Sequence, residues 1–491
     1  MKTTTLICFL AMLPAACYSQ SVSELRELLT PTSLELSSDG ALLWYRFGKD
    51  WWEVRTVPNS QPKRAPAHRP AAAEKPPDVH GTPRVTSPRR SPDGKRVAYI
   101  DAERPYGPGL LYCLCDGSES GKPQPVSRMP VLAFQWAGDS RSLWVIASDV
   151  ADQQIGRLSL AGRFQRVSQG PAMRVLGGLQ AANDVVAWVQ SDGSHHGTIW
   201  VIDHAGTPRT LFDPNPQTSR WSEAWTQEVV PWKNSHGEEL QGILARPHGS
   251  GRFPLIVDPY SSWQNRFLNI PQLGNYAFVK AGFAVFFPDH RAPHTFPEWA
   301  FGESYVGASL DRDPVDVLTD DVMTGVAELV HRGIVDQDQL FLYSTSNGAS
   351  AIDQLLTRTH AFRAAVSHGG VADWLGYYRA NQARGDGTIP GFLGGRTPED
   401  FPGLYRQISP IYHVDQVTTP LLLVVGDKDS IPGGGSRYDD AKAFDEALRR
   451  VGSPVEFVVY PGEDHGISAG LAERHVRKAI EFFRAARPSA R

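Results

Sequence analysis

The sequence predicts an all-β domain built from repeated small sheets, followed by an open, mostly parallel α/β sheet. Three observations predict it. Four Asp-containing turns, each leading into an apolar strand, recur in the first half, with aspartates 54, 46 and 45 residues apart. Short apolar strands alternate with helical segments in the second half. A small-x-Ser-x-Gly motif, Ser344-Thr345-Ser346-Asn347-Gly348, joins one of those strands to a helix-competent stretch.

The chain of 491 residues has room for two or three domains. Its 41% hydrophobic and 21% charged residues are ordinary for a globular protein. A net charge of −4 gives no reason to expect nucleic acid or an anionic membrane as partner. There is no zinc-type cysteine cluster, and no metal or other cofactor is expected.

Taken in order, Lys2 precedes an apolar run from Leu6 to Ala16, too short for a permanent membrane anchor. Small residues follow, so residues 1–19 read as a cleavable secretory signal, cut after Ser19, and the protein is expected to be exported, periplasmic or secreted. Cys17 after Leu13-Pro14-Ala15-Ala16 offers a lipid-attachment alternative, with proline where that signal prefers leucine. No later segment is long and apolar enough to be transmembrane. Cys113 and Cys115 are two apart on a strand-like run and point to one face. Two small buried residues are expected there; a disulfide between them is the alternative.

Residues 20–220 form the β domain. Its repeats are Ser38-Asp39-Gly40 before Leu42–Tyr45, Pro92-Asp93-Gly94 before Arg96–Ile100, Gly138-Asp139-Ser140 before Leu143–Ile146, and Asn183-Asp184 before Val185–Val189. Asp-Gly supplies the positive φ of tight hairpins. A period near 45 with several strands per unit marks propeller blades, about four of them, in preference to a β-sandwich. The long first interval contains residues 58–88, with Pro62, Pro66, Pro70, Pro76, Pro77 and Pro83; this stretch is expected to be an exposed insertion.

Residues 221–491 form the α/β domain. Expected strands are Leu255–Val257, Ala284–Phe287, Leu340–Tyr343, Ala364–Ser367, Leu421–Val425 and Val455–Val459. Expected helices are Val317–Arg332, Ala351–Thr359, Arg437–Val451 and Leu471–Ala486. Gly426-Asp427-Lys428-Asp429 follows one strand and Asp464-His465-Gly466 another. The order Ser…Asp…His is that of α/β-hydrolases. All three groups fall at carboxyl ends of strands, where open α/β sheets place their sites.

With these residues in view, the chain resembles the prolyl oligopeptidase family of serine peptidases over nearly everything after the signal. Further marks are the opening helix Ser23–Leu29 before Leu36-Ser37-Ser38-Asp39-Gly40, Asp258-Pro259-Tyr260 after a strand, Asp289-His290-Arg291, Ser409-Pro410-Ile411, and Thr419-Pro420 leading into Leu421–Gly426. The sequence departs from the family at Ser344 and Ala349, where glycine is usual, and at Arg291-Ala292, where Arg-Gly is. About four blades replace the usual seven or eight, which bears on whether the propeller filters substrates by size.

The motif makes Ser346 the expected nucleophile, with Ser344 and Ser350 as turn serines. His465 is the expected base. The resemblance implies Asp429, three residues after Gly426, as the acid rather than Asp427; Asp464 is expected to cap or face solvent. The backbone N–H of Asn347 is one expected oxyanion donor, and the resemblance implies the Tyr260 hydroxyl as the other. It also aligns Val371, Trp374 and Tyr377 with the pocket for the side chain before the scissile bond, where an aromatic slot suits proline or another compact residue; a plain core stripe is the alternative. His290 and His294 are spaced i, i+4, but Pro293 and the lack of a third ligand argue against a metal. The family's double-glutamate grip on a substrate amine is not found, which argues against strict dipeptide release. The expected activity is peptide-bond hydrolysis of short peptides through an acyl-enzyme. The rivals are an esterase or specialised isopeptidase on the same machinery, or a catalytically silent binding protein.

Overall fold

In the computed structural model, each Asp turn opens onto the second strand of its own antiparallel sheet. The structure describes residues 31–47, 49–66, 68, 85–101, 109–115, 122–149, 152–168, 174–175, 178–192, 194–203, 206–223, 225–260, 273–290, 312–382, 396–431 and 435–486. The expected signal and the helix Ser23–Leu29 lie outside them. The first sheet runs Thr32–Leu36, Leu42–Phe47, Asp50–Arg55 and Lys63–Arg64, and the second Val85–Arg90, Val97–Asp101, Leu110–Leu114 and Gln124–Pro125. The third is Val131–Trp136, Ser142–Asp149, Asp152–Ser159 and Phe164–Arg166. In the fourth, Val185–Ser191 pairs with Arg174–Val175, Gln180–Ala182 and Thr198–Ile202, and Pro208–Phe212 closes the edge.

The aspartates build these turns. Asp39, Asp93 and Asp139 each accept a hydrogen bond from the backbone N–H two residues on, at 3.0, 3.1 and 2.9 Å. Asn183 and Asp184 instead adopt positive φ themselves, +45° and +61°. The turns also touch one another: Asp93 N–H donates to Ser140 Oγ at 3.0 Å, and Asn183 Nδ2 to Asp39 O at 3.2 Å. Apolar clusters join second sheet to third, third to fourth, and fourth back to first through Leu43, Tyr45, Val185, Val189 and Val201. First and last sheets sharing a core gives the arrangement of a small propeller.

Two expectations need correction here. The insertion is narrower than 58–88. Lys63–Arg64 pairs with the strand before it, and Val85–Arg90 already belongs to the second sheet. The prolines did not forbid this: Pro62 flanks an edge strand, and Pro88 falls where the register of an edge strand shifts, positions at which a missing N–H costs little. Cys113 and Cys115 form a disulfide across a Cα–Cα distance of 5.3 Å, with Cys113 fully buried.

The second domain is an eight-stranded sheet. Its strands are β1 (Trp225–Lys233), β2 (Glu239–Pro247), β3 (Phe253–Val257), β4 (Ala284–Pro288), β5 (Val335–Thr345), β6 (Ala364–His368), β7 (Leu421–Gly426) and β8 (Val455–Tyr460). They lie in the order β1-β2-β4-β3-β5-β6-β7-β8. The six from β4 to β8 pair in parallel; β1 and β2 form an antiparallel hairpin at one edge. The helices are α1 (Leu273–Lys280), α2 (Pro314–His331), α3 (Ser346–Leu355), α4 (Trp374–Gln382), α5 (Pro402–Gln407), α6 (Arg437–Val451) and α7 (Ala469–Ala485).

Strand residues alternate between two cores. Leu255, Val257, Leu340, Leu342, Leu421, Leu423 and Val425 pack under α2, α3 and α6. Ile256, Phe341, Leu422 and Val424 pack under α1 and α7. A sheet covered on both faces needs apolar residues at every position, which is why these strands read as unbroken apolar runs. The helices answer with one face each: Leu318, Val322, Val326 and Leu329 from α2, and Val476, Ala479, Ile480 and Phe483 from α7. No helix among the described residues is long and apolar enough to cross a membrane.

Candidate active site

Strand β5 runs into α3 with no loop between them. Thr345 ends the strand, and Ser346, with φ +55°, begins the helix. A non-glycine residue in that region costs about 1–2 kcal/mol, and such strain concentrates at functional positions. The expected helix 351–359 is therefore displaced to 346–355, because the turn itself supplies its first residues. Gly348 is required by close approach: a Cβ there would lie 1.9 Å from Ser344 Oγ and 2.8 Å from Tyr260 Cβ. From Gly348 to Leu355 every residue of α3 is buried, which fixes the turn against the sheet.

Three chain segments meet at this turn. Ser346 Oγ lies 2.9 Å from His465 Nε2. His465 Nδ1 lies 3.0 Å from Asp429 Oδ2 and 3.2 Å from Oδ1. A proton on Nδ1 satisfies the carboxylate and leaves Nε2 to accept from the serine hydroxyl. The Asp429 side chain is fully buried, whereas the His465 side chain is 39% exposed. Asp427 points elsewhere; its carboxylate accepts from Gly462 N–H at 2.6 Å and ties two loops together. Asp464 is exposed and accepts from the His465 backbone N–H at 2.8 Å. The N–H of Asn347 is in the first turn of α3, among the donors a helix leaves without an intrahelical partner.

Tyr260 follows β3 and is half-buried, its Cβ against Gly348. His290 is buried after β4, and its Nε2–H donates to Pro259 O at 2.9 Å. His294 lies outside the described residues. Val371 and Trp374 are buried in a cluster with Val315, Tyr378, Tyr405 and Ile408, while Tyr377 packs at its margin, edge-on to Trp374 at 5.8 Å. Val371 and Trp374 thus have the surroundings of a core stripe, and Tyr377 alone of the three is partly exposed.

Several residues of the site were assigned no role by the sequence, although Asp258 belongs to the quoted Asp258-Pro259-Tyr260 motif. Arg437 opens α6, donates to Gly369 O at 2.6 Å, and holds its guanidinium 3.9 Å from Asp429 and over the Tyr377 ring at 5.7 Å. His368 ends β6, and burial holds its imidazole down to about 4, with the His465 and Arg437 charges adding to the effect. Asp258, after β3, accepts from Ser344 Oγ at 2.6 Å and from Tyr260 N–H at 3.1 Å. Loss of hydration raises its carboxyl to about 7 against those two hydrogen bonds. Such partners come from segments 86 residues apart, so no local pattern announces them.

The model of the prolyl oligopeptidase family matches residues 273–486, the stretch that carries α1 to α7. Among curated proteins, the chain is 22% identical to the uncharacterized peptidase YuxL of Bacillus subtilis, over 71% of this chain and 52% of that protein. It is 25% identical to the lasso peptide isopeptidase AtxE2 of Asticcacaulis excentricus, over 53% of this chain and 37% of that protein. The chain therefore spans about half the length, or less, of these relatives. Among solved structures, a puromycin hydrolase superposes with a TM-score of 0.67 at 17% identity, covering 93% of this chain and 69% of the other. The AtxE2 isopeptidase superposes with a TM-score of 0.61 at 16% identity, covering 93% and 81%. Those superpositions speak to fold, and the family match covers the stretch that carries Ser346, Asp429 and His465. Residues 273–486 thus match the prolyl oligopeptidase family, and the fold of the chain is that of an N-terminal β-propeller followed by a C-terminal α/β-hydrolase domain.

Proposed function

We propose that the chain is an exported serine peptidase that hydrolyses short peptides through an acyl-enzyme. The observation that carries this reading is the continuous hydrogen-bonded line from Ser346 Oγ through His465 to Asp429, at 2.9 and 3.0 Å, with its serine at a positive-φ turn. Ser346 attacks the scissile carbonyl carbon while its proton passes to His465 Nε2. Asp429 holds the imidazole in the competent tautomer and stabilises its cation. The oxyanion takes hydrogen bonds from the Asn347 N–H and the Tyr260 hydroxyl. Collapse breaks the C–N bond, and the leaving amine takes the proton from His465. Water then repeats the sequence on the acyl-serine. Export rests on the Lys2 and Leu6–Ala16 pattern alone.

A second reading, cleavage of side-chain-linked amides, draws support from the similarity to a lasso peptide isopeptidase. One panel separates the readings: chromogenic dipeptides varied before the scissile bond, the matching esters, and a peptide carrying the same residues joined through an Asp side chain. Turnover of the linear amides is expected. Turnover confined to the side-chain-linked peptide would install the isopeptidase reading, and turnover of esters alone would reject peptidase action.

A further inference from the structure

Ser344 stands where the family ordinarily has glycine, and its hydroxyl is committed rather than idle. It donates to Asp258 Oδ1 at 2.6 Å, and the same oxygen accepts the Tyr260 backbone N–H at 3.1 Å. One carboxylate oxygen thus bridges the strand of the nucleophile and the loop of the tyrosine. We propose that Ser344 and Asp258 are positioning residues that fix the Tyr260 hydroxyl relative to Ser346 for oxyanion stabilisation.

The surrounding geometry shows what this bridge adds. Asp258 N–H donates to Phe286 O at 2.9 Å, which continues the sheet, and His290 fixes Pro259 O at 2.9 Å. Those two hold the loop to its neighbours β4 and the segment after it. The Ser344 contact ties it by a side chain to β5, the strand that ends at the nucleophile. Gly348 makes room for it, since a Cβ there would strike both Ser344 Oγ and the root of Tyr260. A hydroxyl one residue before Thr345 is two residues from Ser346, so a shift of the loop is felt at the distance between nucleophile and donor. Misplacing a donor by about 1 Å can cost on the order of 10²-fold in rate. With its carboxyl raised to about 7, Asp258 is well imitated near neutral pH by asparagine, which keeps the accepting oxygen.

The proposal rests on the peptidase reading and predicts a pattern that packing alone does not produce. The test is a double-mutant cycle on kcat and KM with the best substrate of the panel. Ser344→Ala is expected to lower kcat by roughly tenfold or more, with KM within about twofold. In the Tyr260→Phe background the same change is expected to cost less than about twofold, because the hydroxyl it positions is gone. Asp258→Ala should match Ser344→Ala, and Asp258→Asn should recover most of the loss. Equal losses from Ser344→Ala in both backgrounds, or a loss confined to KM, would overturn the proposal. Should Ser344→Ala fail to fold, the Asp258→Ala and Asp258→Asn pair decides it: no recovery by asparagine overturns it. If wild-type protein neither turns over the panel nor reacts with a fluorophosphonate, it is the peptidase reading that has failed.

Discussion

At the scale of single residues, two aspartates two positions apart have opposite fates. Asp429 is sealed from water against His465, while Asp427 staples a loop at the surface. Asp429→Asn is therefore expected to lower turnover by about 10⁴, the loss seen when other serine-protease triads lose the acid. Asp427→Asn should cost less than about tenfold, since it removes one exposed hydrogen bond; kcat for the two variants decides the ranking. Asp258 supplies a stability test. Its carboxyl is raised from 3.8 to about 7, so its protonated form is favoured in the folded state. The stability this contributes is present below pH 3.8 and is lost as pH rises through about 7. Relative to the wild type, Asp258→Asn should therefore gain stability between those limits, by up to roughly 4 kcal/mol, with no further gain above. Urea midpoints measured from pH 4 to pH 8 would show it; a gap that does not change with pH would contradict the shift.

At the scale of elements, legibility followed how local the cause was. Arg437–Val451 is readable to the residue because both ends are written locally. Ser436 caps the Asp439 N–H at 3.0 Å, and Gly452 stops the helix with φ +81°. The hairpin of β1 and β2 was not read. Its first strand contains Pro231 and its partner Gly242, and its apolar residues are buried only once α2 covers one face and α1 the other. The Asp turns were read as hairpin turns, but their contacts with the next sheet were not. That difference is measurable. Gly94 has φ +71° and open space, so Gly94→Ala should cost about 1–2 kcal/mol from backbone conformation alone. At Gly40, φ is +72° and a Cβ would meet Val185 at 2.7 Å and Ala182 O at 2.9 Å. Gly40→Ala should cost roughly 1–3 kcal/mol more than Gly94→Ala. Equal unfolding midpoints for the two would mean that the first and fourth sheets do not press on each other at this turn.

At the scale of the whole molecule, the two-domain order and the Ser…Asp…His order were both present in the sequence, because each is a matter of succession along the chain. The period of the Asp turns leads to about four blades, and the described residues of the first half hold four antiparallel sheets. What the sequence could not carry is convergence. The carboxyl ends of β3, β5, β7 and β8 bring Tyr260, Ser346, Asp429 and His465 to one edge from positions spread over more than two hundred residues. The substrate pocket was the least legible, since an aromatic lining and an aromatic core have the same composition; Val371 and Trp374 are buried in a way that either would require. The central claim is that this edge activates one serine among many. Reaction of the protein with a fluorophosphonate, followed by peptide mapping of the adduct, tests it most directly. The account predicts one adduct per chain, on Ser346, abolished by Ser346→Ala and slowed by several decades in His465→Ala. An adduct on Ser344, Ser350 or any serine outside this turn, or undiminished labelling of Ser346→Ala, would contradict it.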